Sequence, residues 1–214
     1  MSRRTIVLVI SVLTVVGFAV VAFFYDRATT VPQATVPVPQ NSALERFNSP
    51  SFGPANAPVT IVEFFDPSCE SCRAFYPIVK KMMSQHPTDV RLVLRYVKLH
   101  PGSEEAIRLL ETARKQDVFA PVLEAVLEAQ PQWHDDAQAS AAWDAAAQAG
   151  LDVAKARKEM ASPEITATIE RDAADAKTVG VSGTPTFFVN GKPLTNFGAQ
   201  QLYDLIWSEI NQSR

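Results

Sequence analysis

The chain has 214 residues, 47% of them apolar, and a formal net charge of -3 at neutral pH. That is enough length and apolar content for one sizeable core. The slightly acidic balance, with no basic patch, excludes a role built on binding nucleic acid.

The first element in the chain is an apolar run. Met1-Ser2-Arg3-Arg4 leads into an almost unbroken apolar stretch from Ile6 to Tyr25, which, rising about 1.5 Å per residue as a helix, spans a bilayer core. The stretch is longer than the apolar part of a cleaved signal, and no A-x-A-like site follows it. The expectation is a signal anchor over residues 1–25 that crosses the membrane through residues 5–25, with Arg3 and Arg4 on the cytoplasmic side. Cleavage of this segment, releasing the rest of the chain to the periplasm, is the alternative. Residues 26–51 carry Val31-Pro32, Val36-Pro37-Val38-Pro39 and Ser49-Pro50, a composition that predicts an extended, proline-rich tether.

A soluble domain is expected from residue 52 to 214. Val59 to Phe65 is a β-branched and aromatic run, too continuous for a half-exposed strand and suited to a central one. Asp66-Pro67-Ser68 breaks it, and a helical pattern starts at Cys69 and continues through Phe75, Ile78, Val79 and Met82, with Pro77 inside it. Val90 to Val97 reads as a second strand. Between Ser103 and Val179 the pattern is helical, in segments near 103–117, 120–129, 135–149, 151–160 and 163–178. Ser162, Pro163 and Gly180 mark the ends of the last segment. Thr186 to Val189 is a third strand that turns at Asn190-Gly191 into Lys192-Pro193-Leu194, and an amphipathic helix from Ala199 to Ile210 closes the chain. The order is β-α-β, a helical insert over about 102–179, then β-β-α.

The only two cysteines, Cys69 and Cys72, flank Glu70-Ser71 at the first strand-to-helix junction. Two thiols at this spacing suit disulfide exchange, since one attacks a partner disulfide and the other resolves the mixed disulfide. A helix N-terminus also favours a thiolate at Cys69. Half of a zinc site and a structural bridge are the plainer readings. Zinc needs about four N or S ligands, and His86, His100 and His134 stand singly, whereas a bridge across so short a loop removes little unfolded-state entropy. No metal site is therefore expected, and the lone histidines read as surface or structural residues.

This order of elements resembles the thioredoxin fold, and the insert resembles that of the DsbA-like thiol:disulfide oxidoreductases. Carrying the resemblance are Gly53-Pro54-Ala55-Asn56-Ala57-Pro58-Val59, Glu63-Phe64-Phe65-Asp66 ahead of Cys69, Pro77 five residues beyond Cys72, and Gly183 to Gly191. The resemblance implies an α/β thioredoxin fold with a helical insertion and a redox-active Cys69–Cys72 disulfide with no other cofactor. It implies a cis peptide at Thr184-Pro185 facing the dithiol, where Thr184 and Pro185 meet a substrate strand. It also implies a buried Glu63 beneath the dithiol, whose carboxyl, raised by burial, accepts a proton when Cys72 resolves the mixed disulfide.

Glu70 and Ser71 stand where the DsbA-like pattern has Pro-His and would tune the equilibrium. Glu70 adds negative charge beside the thiols, and Arg73 partly offsets it. The expected activity is donation of disulfides to exported proteins in the periplasm, on the outer side of a bacterial inner membrane, with reoxidation by a DsbB-like membrane quinone reductase. Reduction or isomerisation of disulfides, fed by a reducing membrane donor, is the alternative. A non-catalytic Cu(I)-binding adaptor of thioredoxin-like fold is the rival from another class.

Overall fold

A computed structural model describes residues 40–213. The apolar run at residues 1–25 and most of the tether lie outside the described residues, among which no helix is long and apolar enough to cross a membrane.

Five strands form one mixed sheet in the order β1-β3-β2-β4-β5: β1 (Ser51–Phe52), β2 (Val59–Phe65), β3 (Val90–Tyr96), β4 (Thr186–Val189) and β5 (Lys192–Pro193). β2 pairs in parallel with β3 and antiparallel with β4, so the continuous apolar run at Val59 to Phe65 lies between two neighbours. Such a strand is covered on both faces, hence its near-complete burial. Pro193, without an N–H to give, lies in the edge strand β5. At the β4–β5 turn Asn190 and Gly191 take φ values of 47° and 81°, as a two-residue hairpin of matching twist requires.

Alternation along β2 sends Val59, Ile61 and Phe65 to one face of the sheet, together with Val79 of α2 (Glu70–Gln85) and Leu202 and Ile206 of α8 (Ala199–Gln212). Val62 and Phe64 point to the other face, where they meet Leu44 of α1 (Gln40–Leu44), Val93, Phe188 and Ala176 of α7 (Pro163–Thr178). The insert consists of α3 (Ser103–Lys115), α4 (Phe119–Glu128), a 3-10 turn at Gln130–Gln132, α5 (Ser140–Gln148), α6 (Val153–Glu159) and α7. Trp133 is buried in it and donates its indole N–H to the Val126 carbonyl at 3.0 Å. Gly102 enters the insert at a tight crossing, where a Cβ would lie 2.7 Å from the Asp136 carbonyl oxygen.

The folded unit begins earlier than the expected boundary at residue 52. α1 and β1 belong to it, because Arg95 of β3 is fully buried and needs acceptors. The Arg95 guanidinium donates to the Ala43 and Leu44 carbonyls at 2.6 and 2.8 Å and to Asp172 and Asp175 of α7. Arg46 holds the other side of Asp175 with two bonds of 2.8 and 2.7 Å. Proline composition marks residues 40–51 as tether, but the charges that dock them lie far along the chain.

Candidate functional site

Cys69 is the N-cap of α2, with extended backbone (φ -77°, ψ 121°), and Cys72 lies one turn in. Cys69 is 8% exposed and Cys72 is fully buried, and both are free thiols. This placement makes the two thiols unequal. The Cys72 thiol, hydrogen-bonded to it, holds the Cys69 thiol down to about 5; Thr184 and the backbone N–H groups of Cys72 and Ser71 add to this, and burial opposes it. Cys72 moves the opposite way. Burial pushes its thiol up, as do the bond to Cys69 and the charge of Glu63, against one backbone N–H from Asp66 at 3.5 Å.

Across from the dithiol the Thr184–Pro185 peptide is cis. The Cys69 Sγ donates to the Thr184 carbonyl at 3.2 Å. A cleft of about 300 Å³ opens beside this loop, lined by Ser71, Thr184, Pro185, Leu194 and Phe197 among others. Phe197 is 55% exposed there, with its ring 4.5 Å from that of Phe75. An extended peptide carrying a cysteine has both an apolar surface and backbone groups to lie against in this cleft.

Glu63 shares the face of β2 that carries Ile61 and Phe65. It is 1% exposed, and neither carboxylate oxygen has a partner among the described residues. Burial, and after it the charge of Cys69, pushes its carboxyl up from 4.5 to about 8. Ser68 Oγ is likewise buried and unpaired among the described residues. Orphan oxygens of this kind collect around the dithiol, in keeping with polar groups retained for chemistry at a cost to packing.

The two residues between the cysteines face outward, and the Glu70 side chain is 72% exposed, with His134 of the insert 4.0 Å away. Arg73 does not turn back to Glu70; its Nε donates to Gln130 Oε1 at 3.0 Å. Two participants are absent from the sequence-based set. Asp66 is fully buried and accepts from the Ser68 N–H, the Leu99 N–H, the Ser103 hydroxyl and His100 Nδ1, each at 2.8 Å. Gln130 donates to the Pro67 and Cys69 carbonyls. The Asp66-Pro67 break hints at the first; nothing local hints at the second. Among the described residues no group of three or more His, Cys, Asp or Glu side chains is placed to hold a metal ion.

Residues 46–206 match the family model described as thioredoxin. A thioredoxin-like oxidoreductase from Silicibacter pomeroyi DSS-3 is 29% identical, with a TM-score of 0.71 over 82% of this chain and 99% of that one. Oxidised BdbD from Bacillus subtilis is 26% identical, with a TM-score of 0.69 over 76% of this chain and 93% of its own. Among curated proteins, the Na(+)/H(+) antiporter NhaA of Herminiimonas arsenicoxydans is 33% identical over 142 residues, 66% of this chain and 22% of the antiporter. The chain thus spans about a fifth of the length of the curated relatives it matches.

Proposed function

The chain belongs to the thioredoxin family as a DsbA-like member, and we propose that it is a thiol:disulfide oxidoreductase that gives its Cys69–Cys72 disulfide to exported proteins. The observation that carries the direction is the place of Cys69 at the N-cap of α2, where the Cys72 thiol and the Ser71 and Cys72 N–H groups reach its sulfur and hold its thiol down. Stabilising that thiolate stabilises the reduced protein, and a protein whose reduced form is favoured is the stronger oxidant. Glu70, the feature that argues against oxidising power, points into solvent, where its charge is screened.

The exchange runs in two displacements. A client thiolate attacks Cys69 Sγ, forming the client–Cys69 bond and breaking Cys69–Cys72, with the electron pair and a proton going to Cys72. A second client thiolate then attacks the client sulfur, and Cys69 leaves as a thiolate, a good leaving group because of its low pKa. The client is oxidised by two electrons and the dithiol reduced by two. Reoxidation by a DsbB-like membrane quinone reductase starts from the Cys69 thiolate and ends when Cys72, giving its proton to Glu63, closes the disulfide. While Cys69 is tied up as a mixed disulfide its charge is gone, so the carboxyl of Glu63 falls from about 8 and more of it is ready to accept that proton. Thr184 and Pro185 hold the client strand at the cleft. The apolar run at residues 1–25 would hold this chemistry in the periplasm, on an inner-membrane anchor.

The test is the equilibrium with glutathione. The expected reduction potential lies nearer the roughly -120 mV of a strong oxidant than the roughly -270 mV of thioredoxin; a value at the thioredoxin end overturns the donor reading in favour of a reductase. Cys69→Ala abolishes exchange and Cys72→Ala accumulates mixed disulfides on non-reducing gels. Retention of full activity by both variants would remove the dithiol from the mechanism.

A further inference from the structure

We propose that Gln130 is a positioning residue that makes the helical insert part of the device keeping Cys69 reactive. Gln130 is fully buried in the 3-10 turn after α4, and both hydrogens of its amide nitrogen and its amide oxygen are engaged. Nε2 donates to the Pro67 carbonyl at 2.7 Å and to the Cys69 carbonyl at 3.0 Å, while Oε1 accepts from Arg73 Nε at 3.0 Å. The amide therefore ties together the Pro67–Ser68 peptide, the Cys69–Glu70 peptide and the residue that follows Cys72.

The Cys69 carbonyl carries two bonds. One comes from Arg73 N–H at 3.1 Å and opens α2; the other comes from Gln130. With the carbonyl held from both sides, the peptide that carries the Glu70 N–H keeps one orientation, and the Ser71 and Cys72 N–H groups beyond it stay aimed at the Cys69 sulfur. Dipoles fixed in place before charge appears are worth more than ones that must reorient. A neutral, bidentate donor suits this position, because a lysine or arginine would also lower the thiol by its charge. This role rests on the oxidoreductase reading and adds to it that the insert, besides any contact with clients, governs thiolate stability through one side chain.

The experiment measures, in the full chain, the pH dependence of Cys69 alkylation by iodoacetamide, the glutathione equilibrium and the urea midpoint. Gln130→Met keeps the volume and removes all three bonds. Gln130→Leu is likewise uncharged and removes the same three bonds with a smaller side chain. In both, the alkylation midpoint rises by about one pH unit, the size of one well-placed hydrogen bond. The glutathione equilibrium correspondingly moves up to about tenfold toward the protein disulfide. If Gln130→Met does not fold, Gln130→Leu carries the same test. A lower urea midpoint with an unchanged alkylation midpoint overturns the proposal and leaves Gln130 as a packing residue. Failure of the oxidoreductase reading looks different: wild-type Cys69 would itself alkylate with an ordinary thiol midpoint.

Discussion

At the scale of single residues, Glu63 and Cys69 titrate in opposite senses, and this has a measurable signature. Glu63 ionises near 4.5 when unfolded and about 8 when folded, so folding takes up a proton between those values. Its contribution to stability is full below about 4.5 and is lost as pH rises to about 8, at up to about 1.4 kcal/mol per pH unit. Cys69, lowered from 9 to about 5, releases a proton on folding; its contribution is present above 9 and is lost as pH falls through about 5. Over the shared window the two slopes oppose each other. Reduced wild-type protein should therefore show urea stability that varies little from about pH 5 to 8, while Glu63→Gln, left with the Cys69 term, gains stability across it. Parallel curves for the two proteins would show that burial does not raise the Glu63 carboxyl in the reduced fold. Glu63 is legible in the sequence because one carboxylate interrupts a run that alternation and burial make apolar.

At the scale of elements, the junctions that bring insert and dithiol together are tighter than the elements themselves. Gly102→Ala would press a methyl group against the Asp136 carbonyl oxygen, Ser68 Oγ and the Trp133 ring. The oxygen belongs to the backbone and cannot swing aside, so the expected loss is about 1–3 kcal/mol, seen as a thermal midpoint lower by roughly 2–10 °C. An unchanged midpoint would mean the crossing is looser than its distances. Elements whose information is local are legible from composition and period: the continuous run of β2, the Asn190-Gly191 turn, and Pro163 and Gly180 at the ends of α7. Gln130 and Asp66 are not, because their meaning is set by partners that folding supplies. The Gln130 carbonyl contacts lie 61 and 63 positions back along the chain, and no pattern around an Ala129-Gln130-Pro131 corner encodes them.

At the scale of the whole molecule, the domain depends on a stretch that reads as linker. Arg95, buried between α1 and α7, has its acceptors on Ala43, Leu44, Asp172 and Asp175, the last two 77 and 80 positions away. Removing one side of a buried charge network costs about 3–5 kcal/mol. Deleting residues 1–51 should therefore lower the urea midpoint far more than deleting residues 1–39, which leaves α1 and Arg46 in place. Equal midpoints would show that Arg95 finds other partners.

The same docking bears on fusion design. α1 is stitched to the sheet face that carries Phe64 and Phe188, whereas the thiols belong to the α2 face. A reporter or an immobilisation handle joined ahead of Gln40 therefore departs from the back of the catalyst and leaves the client-facing cleft unobstructed, whereas one spliced in at residue 52 would do so only by unpicking the Arg95 network.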